Sequence, residues 1–216
     1  MAFVKICGLT EAGGVQAALD AGADMLGFVF ADNSPRTITP AEAAALAEPA
    51  RGKAKIVAVL VNPGDKKLKK IIDQLAPDYL QLHGRETPER VRTLWKRHHI
   101  AVIKAFAVSS ARDIADANRF TRTAAMFLLD AKAPKGTTQT GGHGKSFDWD
   151  ILKETSLDKP WLLAGGLTPQ NVSEAIARTG AKAVDVSTGV ESAPGIKDAA
   201  KVAAFIRAAK EMGAER

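Results

Sequence analysis

Short apolar segments alternate with amphipathic, helix-like segments along the whole chain, and this alternation constrains the fold more than any other feature. The apolar segments recur at about 27 residues per strand-and-helix unit, which gives eight units. Strands that are joined by helical crossovers run parallel, because a tight turn can join only antiparallel strands. The sequence therefore predicts an α/β fold built on a parallel sheet.

The predicted strands cover residues 3–7, 25–30, 56–62, 79–83, 100–106, 125–130, 162–164 and 183–186. The predicted helices cover residues 10–22, a segment from about 40, 65–75, 87–98, a segment after 110, 169–179 and 197–212. A doubly wound sheet has the same alternation, but usually fewer strands and a GxGxxG fingerprint after the first one, where this chain reads CGLTEAGG. We therefore expect one (β/α)8 TIM barrel domain over residues 1–216.

Two turns of small residues follow the last two predicted strands. Gly165 and Gly166 end the seventh strand, and Ser187, Thr188 and Gly189 end the eighth. Backbone N–H groups can reach an anion where no side chain blocks them, and a helix N-terminus behind each turn would add partial positive charge. Small residues also occur in ordinary strand-to-helix loops, but a pair at successive strand ends predicts a phosphate site.

Composition favours a soluble cytoplasmic protein that binds a small anion. Hydrophobic residues make up 46% of the chain, and no apolar stretch is long enough to suggest a membrane span or a signal peptide. A single cysteine fits a reducing compartment. The net charge of +6 would suit nucleic acid, but only KKLKK at 66–70 is clustered, and it predicts a solvated helix face. We expect neither a nucleic-acid nor a membrane partner.

Polar side chains at the carboxyl-terminal ends of barrel strands converge on one mouth. The residues predicted to lie there are Cys7, Asn62, His83, Asp130 and Asp185, with Arg36 on a loop above them. They have neither the spacing of metal ligands nor that of a Ser-His-Asp triad. We therefore expect no metal ion and no organic cofactor.

A thiol and a carboxyl group across the mouth suit proton transfer. Cys7 would act as a base if cations such as Lys5 favoured its thiolate, and Asp130 would act as an acid if burial kept it protonated. Each residue also has a purely structural interpretation. Cys7 could be a small buried hydrophobe, and Asp130 could cap the segment that follows it.

One connection is much longer than a usual strand-to-helix loop. Residues 131–147 read AKAPKGTTQTGGHGKSF, rich in Gly and Thr, and they leave from the strand end that carries Asp130. We interpret this connection as a lid over the site rather than as a disordered loop.

Eight stretches of the sequence resemble the phosphoribosylanthranilate isomerase family, in the family's order and over essentially the full length. They are KICGLT, GADMLGFVFADNSPR, VLVN, LQLHG, LLDAK, GGHGKSFDW, AGGLTPQNV and AVDVSTGVE. The resemblance implies an isomerase of tryptophan biosynthesis that performs an Amadori rearrangement. Its substrate would be N-(5-phosphoribosyl)anthranilate, and its product 1-(2-carboxyphenylamino)-1-deoxyribulose 5-phosphate.

The resemblance also implies roles for individual residues. It makes Cys7 the general base, Asp130 the general acid and Arg36 the partner of the anthranilate carboxylate, while the two small-residue turns receive the phosphate. His83 and Asp185 line the mouth without an assigned step. The chain departs from the usual family wording at His143 within GGHG and in VSTG, where VSSG is common.

Two alternatives to this function are open from the sequence. The first is a related phosphoribosyl aminoaldose isomerase of broad or histidine-pathway specificity, although those relatives carry a carboxylate where Cys7 stands. The second is a non-catalytic phosphosugar-binding or nucleic-acid-associated barrel, which would need no paired acid and base and would bind oligonucleotides in a salt-sensitive way. The sequence is compatible with a monomer or a homodimer.

Overall fold

The computed structural model describes residues 1–131, 149–152 and 157–212. The connection interpreted as a lid, with His143, lies outside the described residues except for Ala131.

The eight strands that form the barrel agree with the predicted ones to within two residues at either end. They are β1 (Phe3–Cys7), β2 (Met25–Val29), β3 (Lys55–Leu60), β4 (Tyr79–Leu82), β5 (Ala101–Val108), β6 (Met126–Ala131), β7 (Trp161–Ala164) and β8 (Ala183–Val186). Each strand pairs in parallel with the next, and β8 pairs back onto β1 to close the sheet. The predicted parallel barrel is confirmed.

Helices alternate with the strands along the chain. They are α1 (Ala12–Asp20), α2 (Pro40–Ala47), α3 (Asp65–Leu75), α4 (Pro88–His98), α5 (Ala111–Ala117), α6 (Val172–Thr179) and α7 (Ala199–Met212). Local sequence sets several of their ends: Thr39 and Glu42 form a capping box at α2, and the Thr87 hydroxyl accepts from the first turn of α4. None of the helices in the described ranges is both long and apolar enough to cross a membrane.

The KKLKK segment lies in α3, where Leu68 is buried and the four lysines around it are exposed. The predicted solvated helix face is confirmed. Burial of Leu68 and Ile71 beneath the charged face joins α3 to the core, and each such side chain contributes about 1.5–3 kcal/mol relative to exposure.

The barrel sheet separates two apolar clusters, as the alternation of strand residues requires. In β1, Val4 and Ile6 belong to the large outer cluster between sheet and helices, whereas Cys7 belongs to the smaller inner one. The two faces of β1 therefore contact different parts of the core. Apolar residues fill the interior below the mouth; they include Met25, Val57, Ile103, Leu128 and Leu162.

The carboxyl-terminal part differs most from prediction. After β8 the chain makes a short 3-10 turn (Thr188–Val190) and an antiparallel hairpin of β9 (Glu191–Ala193) and β10 (Ile196–Lys197) before α7 begins. In the preceding unit, α6 begins three residues later than expected, because the Asn171 side chain accepts from the Thr168 N–H and donates to the Gly166 carbonyl. Neither small-residue turn therefore leads directly into an α-helix.

Candidate active site

A cavity of about 350 Å³ opens at the carboxyl-terminal end of the barrel. Its wall contains a thiol, carboxyl groups, an imidazole, a guanidinium and both small-residue turns. Every residue for which the sequence predicted a site role lines it: Cys7, Arg36, His83, Asp130, Gly165, Gly166, Asp185, Ser187, Thr188 and Gly189. The structure thus brings these residues together around one space.

Asn62 is the exception among the polar residues expected at the mouth. It has a left-handed backbone with φ of 45°, its amide N–H donates to Glu86 at 2.8 Å, and its side-chain oxygen accepts from the Arg85 N–H at 2.8 Å. These bonds tie the loop after β3 to the loop after β4. The expectation that Asn62 lies in the mouth is wrong, because its side chain satisfies neighbouring backbone instead.

Cys7 lies at the end of β1 beside a buried ion pair. Lys5 is fully buried, and its Nζ lies 2.8 Å from Oδ1 of Asp185 on β8. Burial raises the pKa of the Cys7 thiol; Lys5 opposes this shift, and Asp185 adds to it. The expected effect of Lys5 is therefore present but does not prevail, because burial raises the thiol pKa more than Lys5 lowers it, and the Asp185 charge adds to the rise.

Lys5 remains a cation despite its burial. Burial alone would lower the Lys5 pKa, but the attraction of Asp185 and Cys7 outweighs this effect and raises it. Gly27 of β2 makes room for this arrangement, since a Cβ there would lie 2.9 Å from Cys7 Sγ and 3.1 Å from Lys5 Nζ. Gly27 was missed from the sequence, although a glycine inside a strand is a signal of such close approach.

Asp130 lies at the end of β6, where 39% of its side chain is exposed. The burial that was expected to keep it protonated is therefore incomplete. Its Oδ2 lies 3.4 Å from Nε2 of His83, whose other ring nitrogen, Nδ1, lies 3.3 Å from Nε2 of Gln81. The strand ends of β4 and β6 thus place a row of amide, imidazole and carboxyl groups along one side of the mouth.

Arg36 is held by Glu191, which the sequence did not predict. The guanidinium donates from Nε and Nη2 to the two oxygens of this carboxylate, both at 2.7 Å, and from Nη2 to the Thr188 hydroxyl at 3.2 Å. Nη1 has no hydrogen-bond partner among the described residues. The bond with Glu191, more than the opposing effect of burial, raises the Arg36 pKa. Nε and Nη2 are therefore occupied, while Nη1 is available to a ligand.

Glu191 also holds Lys197, a buried lysine of the hairpin. Lys197 Nζ lies 2.8 Å from Glu191 Oε1 and 3.1 Å from the Ser187 carbonyl. Burial would raise the Glu191 pKa, but its bonds to Arg36 and Lys197 outweigh burial and lower it, so the carboxylate is charged. Glu191 is the last residue of AVDVSTGVE, one of the stretches that carry the family resemblance, so the sequence contained a reason to include it among the site residues.

The two small-residue turns pack against each other. A Cβ on Gly189 would lie 1.9 Å from the Leu167 carbonyl oxygen, so only glycine permits this approach. Gly165 and Gly166 have φ of 92° and 63°, and their N–H groups donate to no other group in the described part of the chain. The turns therefore offer unblocked backbone donors. Helix dipoles contribute less than expected, because α6 begins only at Val172 and the second turn is followed by a short 3-10 turn and a hairpin rather than by an α-helix.

Within the described ranges, no group of three or more His, Cys, Asp or Glu side chains is arranged to hold a metal ion. The described residues that line the cavity include acids, bases and anion-binding groups.

Comparisons with known proteins agree with this geometry. Residues 4–208 match the family model described as N-(5'phosphoribosyl)anthranilate (PRA) isomerase. The N-(5'-phosphoribosyl)anthranilate isomerase of Paramagnetospirillum magneticum is 48% identical over 207 residues, or 96% of each chain. That of Rhizobium leguminosarum is 46% identical over 211 residues, covering 98% of this chain and 95% of the relative.

Solved structures give the same result. The phosphoribosyl anthranilate isomerase of Thermotoga maritima superposes with a TM-score of 0.88 at 38% identity, covering 98% of this chain and 100% of the relative. A structure of such an isomerase in complex with reduced 1-(o-carboxyphenylamino)-1-deoxyribulose 5-phosphate has a TM-score of 0.84 at 34% identity, with the same coverage. This chain belongs to the N-(5'-phosphoribosyl)anthranilate isomerase family.

Proposed function

We propose that Cys7 and Asp130 carry out, as base and acid, the reaction after which the family is named. The chain is an isomerase that converts N-(5'-phosphoribosyl)anthranilate into 1-(2-carboxyphenylamino)-1-deoxyribulose 5-phosphate in tryptophan biosynthesis. The observation that carries the assignment of roles is the single cavity, which has a thiol, a carboxyl group, a guanidinium and two anion-binding turns in its wall.

The two ends of the substrate are both anionic, and the cavity has a matching group for each. The phosphate binds at the turns of Gly165–Gly166 and 187–189, where backbone donors are unblocked. The anthranilate carboxylate binds at Nη1 of Arg36, since Glu191 and Thr188 occupy Nε and Nη2. Anchoring both ends holds the ribose between thiol and carboxyl group, which supplies the orientation that proton transfer requires.

The rearrangement then needs two proton transfers. Asp130 donates a proton to the furanose ring oxygen, the bond between C1 and that oxygen breaks, and the nitrogen lone pair forms an iminium. The Cys7 thiolate removes the proton from C2, which gives an enolamine. The enolamine then tautomerises to the ketone by gaining a proton at C1 and losing the proton of the C2 hydroxyl. No oxidant or reductant is consumed, because substrate and product are isomers.

The relative that binds reduced 1-(o-carboxyphenylamino)-1-deoxyribulose 5-phosphate supports a site for a ligand with two anionic ends, since that ligand carries a carboxylate and a phosphate. The histidine-pathway alternative is disfavoured because a thiol, not a carboxylate, stands at the end of β1. The non-catalytic alternative gives no reason for a thiol and a carboxyl group to line the same cavity.

The test is the decay of anthranilate fluorescence when the protein is added to phosphoribosylanthranilate made in situ. We expect rapid decay with the unaltered protein and almost none with Cys7→Ser or Asp130→Asn, while both variants keep their affinity for the reduced product analogue. Loss of analogue affinity equal to the loss of rate would make these residues binding groups. No decay with the folded, unaltered protein would overturn the assignment.

Three further predictions concern the environment of the enzyme. A relative from Thermotoga maritima is described as dimeric, and for this chain light scattering separates the predicted monomer and homodimer. A cytoplasmic location and the absence of a nucleic-acid partner stay predictions. They are checked by fractionation and by an oligonucleotide-binding titration across salt concentrations.

A further inference from the structure

Gln81 is a buried amide in the barrel interior that the proposed mechanism does not use. It lies on β4 between Val59 of β3 and Ile103 of β5 in the strand register, and only 1% of it is exposed. Its Nε2 lies 3.3 Å from His83 Nδ1, while its Oε1 has no hydrogen-bond partner among the described residues. A buried, unpaired amide oxygen costs about 1–3 kcal/mol, so its retention needs an explanation.

We propose that Gln81 is a positioning residue that selects the tautomer of His83, so that the imidazole presents its Nε2–H to Asp130. This inference rests on the proposed role of Asp130 as the acid. The amide nitrogen of glutamine only donates, and a neutral imidazole has one donor and one acceptor. An amide N–H that faces Nδ1 therefore requires the lone pair there and puts the ring proton on Nε2, 3.4 Å from Asp130 Oδ2.

The backbone around His83 is already fixed, which leaves the tautomer as the variable that Gln81 can set. The His83 N–H donates to the Leu60 carbonyl at 2.8 Å. The buried Lys104 ammonium donates to the carbonyls on either side of His83, those of Leu82 at 3.1 Å and Gly84 at 2.8 Å. The backbone that carries the imidazole is thus held at one place, and the ring lies 3.4 Å from Asp130 with two possible positions for the proton of its neutral form.

The selected tautomer matters after Asp130 has given up its proton. The resulting carboxylate is stabilised by an N–H donor at Nε2, so ring opening becomes easier. The other tautomer would place the Nε2 lone pair against the carboxylate and oppose the same step. Because the effect arises when charge develops on Asp130, its loss lowers kcat with little change in KM.

The test reads the tautomer directly, from the ¹⁵N shifts of the imidazole in ¹⁵N-labelled protein, with His83→Asn used to assign the signals. In the unaltered protein we expect Nε2 protonated and Nδ1 bare. In Gln81→Glu the carboxylate accepts from Nδ1, so Nδ1 becomes protonated; in Gln81→Met the two tautomers mix. Gln74→Glu, an exposed glutamine on α3, is the matched control and leaves the His83 signals unchanged.

The kinetic arm uses the same variants in the fluorescence assay. We expect about tenfold or greater loss of kcat in Gln81→Met, with KM within about twofold. A His83 protonated at Nδ1 in the unaltered protein, or an unchanged tautomer in both Gln81 variants, would overturn the inference. The ¹⁵N readout needs no turnover, so a correct tautomer in a protein that is inactive on phosphoribosylanthranilate would reject the proposed function alone. If Gln81→Glu does not fold, the His83 tautomer in Gln81→Met is the test, and an unchanged tautomer there overturns the inference.

Discussion

Lys5 and Asp185 are direct register partners on β1 and β8, the two strands that close the barrel, and their side chains form an ion pair of 2.8 Å beneath the mouth. Lys5 is fully buried and 10% of the Asp185 side chain is exposed. The same ion pair therefore links the two strands that close the barrel and affects the pKa of the Cys7 thiol.

Lys5→Met should destabilise the protein and make the thiol less acidic. It leaves the Asp185 charge buried without a partner, which costs about 3 kcal/mol of unfolding free energy, and it removes the cation that lowers the Cys7 pKa. Urea denaturation and the pH dependence of Cys7 alkylation measure the two effects. Lys55→Met is the control: it breaks an exposed ion pair with Asp78 at the opposite end of the barrel and should change neither the unfolding free energy nor the Cys7 pKa. An equal loss of stability in Lys5→Met and Lys55→Met would contradict the prediction.

The Cys7 thiolate should form only in the alkaline range. Burial raises the pKa of the Cys7 thiol, so the reactive thiolate increases as pH climbs above neutrality. The rate of Cys7 alkylation by iodoacetamide should therefore rise with pH and level off only above that pKa. Turnover does not have to show the same rise, because Asp130, the proposed acid, must hold a proton in the same active form. Cys7→Ser, which removes the single thiol of the sequence, is the control, and alkylation that is already maximal at neutral pH would contradict the prediction.

Glu191→Gln should weaken substrate binding more than chemistry. The amide cannot provide two acceptors to Arg36, and the guanidinium loses the orientation that leaves Nη1 free for a carboxylate. We expect KM and the dissociation constant of the reduced product analogue to rise about tenfold, with kcat changing less. Glu48→Gln, at an exposed pair with Arg51, is the control. Equal affinities in both variants would remove Glu191 from the site.

Gly189→Ala should separate the two small-residue turns. The added methyl group would lie 1.9 Å from the Leu167 carbonyl oxygen, and backbone on both sides must move to admit it. We expect inorganic phosphate and the product analogue to bind about tenfold or more weakly by calorimetry. Gly13→Ala, on α1 where a Cβ has no neighbour within 4 Å, should instead raise the melting temperature. Unchanged phosphate binding in Gly189→Ala would place the phosphate elsewhere.

Much of the fold was predictable because strand and helix patterns are local. The start and end of β1 and α3 matched the sequence, and every strand end lay within two residues of prediction. The hairpin after β8 was missed, since its strands have only three and two residues and no alternating pattern long enough to detect. The start of α6 was missed because the Asn171 side chain closes a turn ahead of the helix, where it accepts from the Thr168 N–H and donates to the Gly166 carbonyl.

The sequence by itself determined the parallel barrel and most of the residues around its mouth, because strand periodicity and strand ends are local features. Only the tertiary structure decided how those residues are charged and paired. The bonds that do so join positions far apart in the chain, as between Lys5 and Asp185 or between Arg36 and Glu191. They depend on barrel closure and strand register, and burial then sets the pKa of Cys7 above that of a free thiol.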